Sequence, residues 1–262
     1  MTLPRLIGMV HLGPLPGSPG FAGDLDAVVA AAVSDAVALE SAGFEALMIE
    51  NFGDAPFFAD DVPKATVAAM TAAVGAVAAA SALPIGVNVL RNDVMAALAI
   101  AAATGAAMVR VNVLSGMMYT DQGPIVGRAA EASRLRATIA PTTAILADVL
   151  VKHASPPPGL TAEGATRDTL ARAGADAVVV SGTSTGAKPS LSELRSVATA
   201  AGTAPVFVGS GATAATIGEL LSIAHGVIVG TAVKRRGVTT EPVDPDRAAA
   251  VVDAYRAMRG EP

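Results

Sequence analysis

Residues 6–20 read LIGMVHLGPLPGSPG. The first half is a short aliphatic run of the kind that forms a buried parallel strand. The second half decides between two folds. In an open doubly wound sheet the first strand leads into a Gly-rich G-x-G-x-x-G turn that opens a helix. Here that fingerprint is missing, and Pro14, Pro16 and Pro19 stand where the helix would begin. The alternative is a closed barrel.

Seven further runs repeat the pattern: ALMIENF from Ala46, PIGVNVL from Pro84, MVRVNVL from Met108, AILADVL from Ala144, AVVVSG from Ala177, PVFVGSG from Pro205 and GVIVGT from Gly226. Helical patterns separate them, among them 26–42, 166–173 and 213–223, and Gly174 suits the position just past a helix end. Eight strands alternating with helices in about 250 residues predict the α/β class and a (β/α)8 (TIM) barrel. No linker divides the chain, so residues 1–262 are read as a single barrel domain.

Composition narrows the function. Hydrophobic residues make up 52 % and charged residues 16 %, which excludes global disorder. Net charge is −5 and no basic block occurs, so nucleic acid and an electrostatic membrane anchor are not expected partners. There is no Cys, hence no thiolate chemistry and no Cys-held metal. Residues 65–90 are uncharged, but Pro84 interrupts them and alanine dominates, so no membrane insertion is expected. The N-terminus has no basic region before an apolar run, and a cytoplasmic location is expected.

In a barrel the reactive face lies at the C-terminal ends of the strands. The polar residues gather there: His11; Glu50 and Asn51; Asn88, Arg91 and Asn92; Arg110 and Asn112; Asp148 and Lys152; Ser181 and Thr183. The chain has 14 Arg and only 4 Lys, and Lys152, Lys188 and Lys234 all follow predicted strands. At strand period, Asp148, Leu150 and Lys152 share one side, and His153 falls on the other. Lys152 suits a Schiff base or a fixed positive charge beside an oxyanion, and equally a structural ion pair with a carboxylate. Glu50 suits a general base or an ion-pair partner. Asn88 and Asn112 suit a ligand's polar groups or a tie between strands. His225, before the last strand, falls on the opposite face and is read as structural.

VFVGSGAT (206–213) and VIVGTAVK (227–234) form a pair. Loops after strands seven and eight of a barrel often hold phosphate, with glycine letting backbone N–H groups approach. Gly209, Ser210, Gly211, Gly230, Thr231 and Lys234 are the candidate phosphate residues. No metal-ligand spacing is present, and no metal is assigned. Phe52, Phe57 and Phe58 follow one strand and look like a lid, an interaction surface or a satellite core.

HLGPLPGSP, ENFGDAPF, GVNVLRND, VRVNVLSG, TDQGPI, ILADVLVKHA, DAVVVSGTSTG, VFVGSGAT and VIVGTAVK together resemble the BtpA/SgcQ family over residues 6–234. The resemblance implies a barrel akin to the ribulose-phosphate-binding barrels. The family is named for a protein of photosystem I biogenesis, and SgcQ-like members are described as nucleotide-hydrolysing or sugar-metabolism proteins. The expectation is an enzyme for a small phosphorylated metabolite, a phosphosugar or nucleotide-like compound, acting as isomerase, aldolase or lyase, or hydrolase. Lys152, Asp148, Glu50 and His11 are the catalytic candidates. Asn51, Asn88, Arg91, Arg110, Asn112, Ser181, Thr183 and Lys188 are the substrate-binding candidates. A phosphate-containing ligand is expected and no organic cofactor is implied. The alternative is a non-catalytic assembly factor for a membrane complex. The apolar composition leaves room for a homo-oligomer interface.

Overall fold

The computed structural model describes residues 3–182, 186 and 188–260. Eight parallel strands close into a barrel: β1 (Leu6–His11), β2 (Ala46–Glu50), β3 (Ile85–Asn88), β4 (Met108–Val111), β7 (Ala144–Val149), β9 (Ala177–Val180), β10 (Val206–Val208) and β11 (Gly226–Val229). They follow one another round the ring in chain order, and β11 pairs with β1 to close it. The (β/α)8 expectation holds. Helices α1 (Leu25–Ala42), α2 (Lys64–Ala80), α3 (Val94–Thr104), α4 (Ala129–Ile139), α5 (Ala162–Arg167), α6 (Leu191–Ala201), α7 (Ile217–Leu221) and α8 (Pro245–Arg259) follow the strands.

Strand alternation divides the apolar residues between two cores. One set, including Leu6, Val10, Leu47, Val87 and Val109, packs outward on the helices. The other, including Ile7, Met9, Met48, Met108, Leu146, Val179, Phe207 and Ile228, fills the barrel interior. Inward positions change from apolar to polar toward the strand C-termini. His11, Glu50, Asn88 and Arg110 lie side by side in one register row across β1, β2, β3 and β4. The same register that builds the core therefore delivers four polar side chains to one level of the mouth.

Two parts depart from expectation. A small antiparallel sheet, order β6–β5–β8, stands over the barrel, made by β5 (Met117–Thr120), β6 (Gly123–Val126) and β8 (Ala154–Ser155). Met118 and Ile125 pack under it against Val113 and Val151. The expected helix over 213–223 shrinks to α7. Thr216 Oγ1 accepts from Thr213 N at 2.9 Å and sits 3.1 Å from Gly211 O, a side-chain turn that holds the first residues out of the helix. Among the described residues no helix is long and apolar enough to cross a membrane.

Candidate active site

A cavity of about 260 Å3 opens at the C-terminal end of the barrel. Met9 and Ile228 form part of its lining, with His11, Glu50, Arg110 and Lys152. Gly209–Ser210–Gly211 and Gly230–Thr231 complete the lining. Five of the six phosphate candidates thus meet the polar residues across one space.

Glycine is required where the wall is thinnest. A Cβ on Gly209 would lie 2.3 Å from Val179 Cγ1 and 2.9 Å from Arg110 Nη2. A Cβ on Gly230 would lie 3.0 Å from His11 Cε1. The backbone of both loops is therefore packed directly on the charged row. The loop after β10 does not lead straight into a helix, because α7 starts only at Ile217 and is five residues long. What the loops offer an anion is backbone N–H and hydroxyl groups.

Lys152 reaches the cavity by a route that alternation does not describe. β7 stops at Val149, and Leu150 has φ 48°, a left-handed backbone uncommon outside glycine. Lys152 N donates to Ser181 Oγ at 3.1 Å, and Lys152 O accepts from Arg91 Nη2 at 2.5 Å. His153 follows with φ 56°, and β8 then pairs with β5. The backbone of Lys152 is clamped from two neighbouring strand ends while its side chain lines the cavity. Its ammonium has no hydrogen bond or ion pair with a described residue. Burial lowers its pKa; Glu50 and Asp148 oppose that shift, and Arg110 and Arg91 add to it.

Glu50 is buried, and burial raises its pKa against the pull of Lys152, Arg110 and Arg91. Its Oε1 lies 3.8 Å from His11 Nε2, beyond hydrogen-bond reach. His11 is held well below its ordinary pKa by burial, and Lys234, Lys152 and Arg110 add to the effect. It is therefore a neutral imidazole at pH 7. Its Nδ1 is buried without a partner among the described residues, and its ring packs on Phe52 with centroids 5.0 Å apart. An acid whose pKa is raised and an amine whose pKa is lowered face one cavity. That arrangement brings both groups closer to proton exchange near neutral pH.

Other candidates are placed differently. Asp148 makes a closed, bidentate pair with Arg110: Nε–Oδ1 is 2.8 Å and Nη2–Oδ2 is 2.9 Å. Both carboxylate oxygens are occupied, so Asp148 orients Arg110 and does not itself line the cavity. Asn88 Nδ2 donates to Asn112 Oδ1 at 3.2 Å and to Arg110 O at 3.1 Å, tying β3 to β4. Asn51 binds Leu90 N and Asp54 within the β2 and β3 loops. Lys188 is exposed and paired with Glu219 at 3.3 Å. Lys234 turns into the wall, 1 % exposed, and its Nζ is 2.5 Å from Asp35 Oδ2 on α1. Thr183 lies outside the described residues. His225 sits at the other end of the barrel, its Nε2 3.2 Å from Leu3 O. Among the described residues no group of three or more His, Asp or Glu is placed to hold a metal ion.

Sequence reading missed Arg247. It lies in the first turn of α8, lines the glycine side of the cavity, and donates from Nε to Ala232 O at 2.9 Å. No local pattern marks it, since α8 reads as an ordinary surface helix.

Known proteins match along the whole chain. Photosystem I biogenesis protein BtpA of Synechocystis is 47 % identical over 251 residues, 95 % of this chain and 87 % of that protein. The sgc region protein SgcQ of Escherichia coli is 29 % identical over 261 residues, 98 % of this chain and 96 % of that one. Among solved structures, thiamine phosphate pyrophosphorylase from Pyrococcus furiosus shares the fold with a TM-score of 0.60 at 15 % identity, covering 97 % and 96 % of the two chains. The family model described as BtpA family matches residues 2–257, and the chain belongs to that family.

Proposed function

We propose that the chain is an enzyme acting on a small phosphorylated metabolite, a phosphosugar or nucleotide-like compound, at the C-terminal mouth of the barrel. One observation carries the reading: Lys152 presents a desolvated ammonium, unpaired among the described residues, to the same cavity as Glu50 and the glycine loops. A fold that held Lys152 for stability would pair it, as it pairs Lys234 with Asp35. An unpaired buried cation lowers stability and is kept where a ligand supplies the missing anion or carbonyl.

The residues divide the work. The N–H groups of Gly211, Gly230 and Thr231 take the phosphate oxygens, while the Gly209 N–H stays in the barrel ladder on Val180 O. The rest of the cavity, whose whole volume is about 260 Å3, takes the remainder of the ligand. Glu50 exchanges a proton with the substrate. Arg110, fixed by Asp148, supplies a permanent positive charge for a developing oxyanion. Lys152 is the amine for imine formation with a carbonyl, or a second cation for the same oxyanion.

The test is a binding and trapping series. Phosphosugars and nucleotides are titrated calorimetrically, and carbonyl-bearing phosphates are incubated with borohydride before mass spectrometry. At least one compound is expected to bind more tightly than millimolar. An adduct on Lys152 assigns imine chemistry; binding without an adduct assigns Lys152 an electrostatic role. Binding weaker than millimolar across the whole series contradicts the proposal. The name of the Synechocystis relative favours a second reading, a non-catalytic assembly factor. That reading gives the polar row inside the barrel no task, and it is the one left standing if no ligand binds.

A further inference from the structure

We infer that Arg247 is the side-chain half of the phosphate site, and that the site is built for a dianionic phosphate monoester. The inference rests on the proposed function and deepens it. The glycine loops offer an anion only neutral donors. Among the described residues that line the cavity, two cations meet these loops: Arg110 packs on Gly209 but is held by Asp148, and Arg247 binds the turn after Gly230. Among the described residues the only acidic residue in the lining is Glu50.

The geometry around Arg247 directs its free edge. Its Nε is committed to Ala232 O at 2.9 Å, in the turn Thr231–Val233 that follows Gly230. No carboxylate pairs with its guanidinium among the described residues. Gly237 lies against it, since a Cβ there would sit 3.5 Å from Nη2. A guanidinium anchored through Nε keeps a planar pair of Nη donors for the two oxygens of a phosphate, a fork that lysine lacks. Its base is also fixed: Asp244 Oδ1 accepts from Arg247 N and caps α8, and Asp244 N donates to Val233 O at 2.8 Å. Lys234 and Val243 N both bind Asp35, so the whole segment between β11 and α8 is tied to α1. Lys234, the cation that sequence position suggests for the phosphate, is thus used to hold the loop, and Arg247 takes the place at the anion.

Calorimetric titration with inorganic phosphate and ribose 5-phosphate tests this on wild type, Arg247→Gln, Arg247→Met and Arg247→Lys. Arg247 is exposed, so the variants are expected to fold with an unchanged melting temperature. Gln and Met are expected to weaken binding of both probes tenfold or more, with Lys in between. A phosphate monoester has its second pKa near about 6. Wild-type affinity for ribose 5-phosphate should therefore fall below that pH, and the fall should be much smaller in Arg247→Gln. Wild type and Arg247→Gln binding equally would overturn the inference and leave the proposed function intact. An equal loss in all three variants with a lowered melting temperature would overturn it too, making Arg247 a tie for the Thr231–Val233 turn. No binding of either probe by wild type would overturn this inference, and the proposed function would then be decided by the wider series of phosphosugars and nucleotides.

Discussion

Asp148→Ala is the most informative single change in the polar row. It removes both acceptors of the bidentate pair, at 2.8 and 2.9 Å, and leaves the Arg110 guanidinium buried with side-chain exposure of 2 %. Breaking a buried pair from one side costs about 3–5 kcal/mol, because the surviving charge has lost both water and partner. For a chain of this size that is a melting temperature lowered by roughly 6–20 °C. Arg110 cannot swing out to water cheaply, since its Nη2 packs on Gly209 within 2.9 Å of where a Cβ would be. Urea denaturation followed by far-ultraviolet circular dichroism measures the loss, with an unchanged m-value as the check that the unfolded state is the same. The companion variant Arg110→Met with Asp148→Leu removes both charges and should lose less than Asp148→Ala alone. A loss under about 1 kcal/mol for Asp148→Ala, or a double variant as poor as the sum of the singles, would refute the closed pair as the frame that holds Arg110.

Other expectations follow from the same geometry. Lys152→Ala should abolish turnover while leaving stability at pH 7 unchanged or raised, because it deletes a desolvated ammonium that no described residue pairs; unfolding of this variant would make Lys152 a structural tie. Reductive 13C-methylation, with only four lysines to resolve, should show Lys152 titrating below the ordinary value of about 10.4, and a value at or above that contradicts its burial. His11 has a lowered folded-state pKa, so stability is full above the unfolded value of about 6.5 and is lost as pH falls below it, where the unfolded chain takes the proton more readily. Denaturation midpoints should drop over that window and His11→Asn should flatten the drop; an equal drop in both excludes His11 as its source. Gly209→Ala should cost about 1–3 kcal/mol by overpacking against Val179, and should also weaken phosphate binding; a fully stable variant contradicts the thin wall.

The barrel and its inward polar row were legible because both rest on strand period, which a sequence displays directly. His11, Glu50, Asn88 and Arg110 fall into register for the same reason that Ile7, Met48 and Met108 do. Lys152 reached the cavity as expected but for another cause: the strand ends three residues earlier, and a left-handed Leu150 turns the chain. Parity carries no information past such a break. The β5–β6 hairpin was not legible, because two four-residue strands bury only a few apolar side chains. Lys234 and Asp35 are 199 positions apart, and nothing local tells that one will neutralise the other. Arg247 was missed for the complementary reason, a helix residue brought to the mouth only by the docking of α8.

Everything proposed for the site depends on where the phosphate sits relative to Lys152. A crystal structure of the protein grown with ribose 5-phosphate tests it most directly. A phosphate is expected on the N–H groups of Gly211, Gly230 and Thr231, touched by Arg247, with the sugar extending toward Glu50 and Lys152. A cavity holding only water at saturating ligand, or a phosphate bound elsewhere on the molecule, would contradict it.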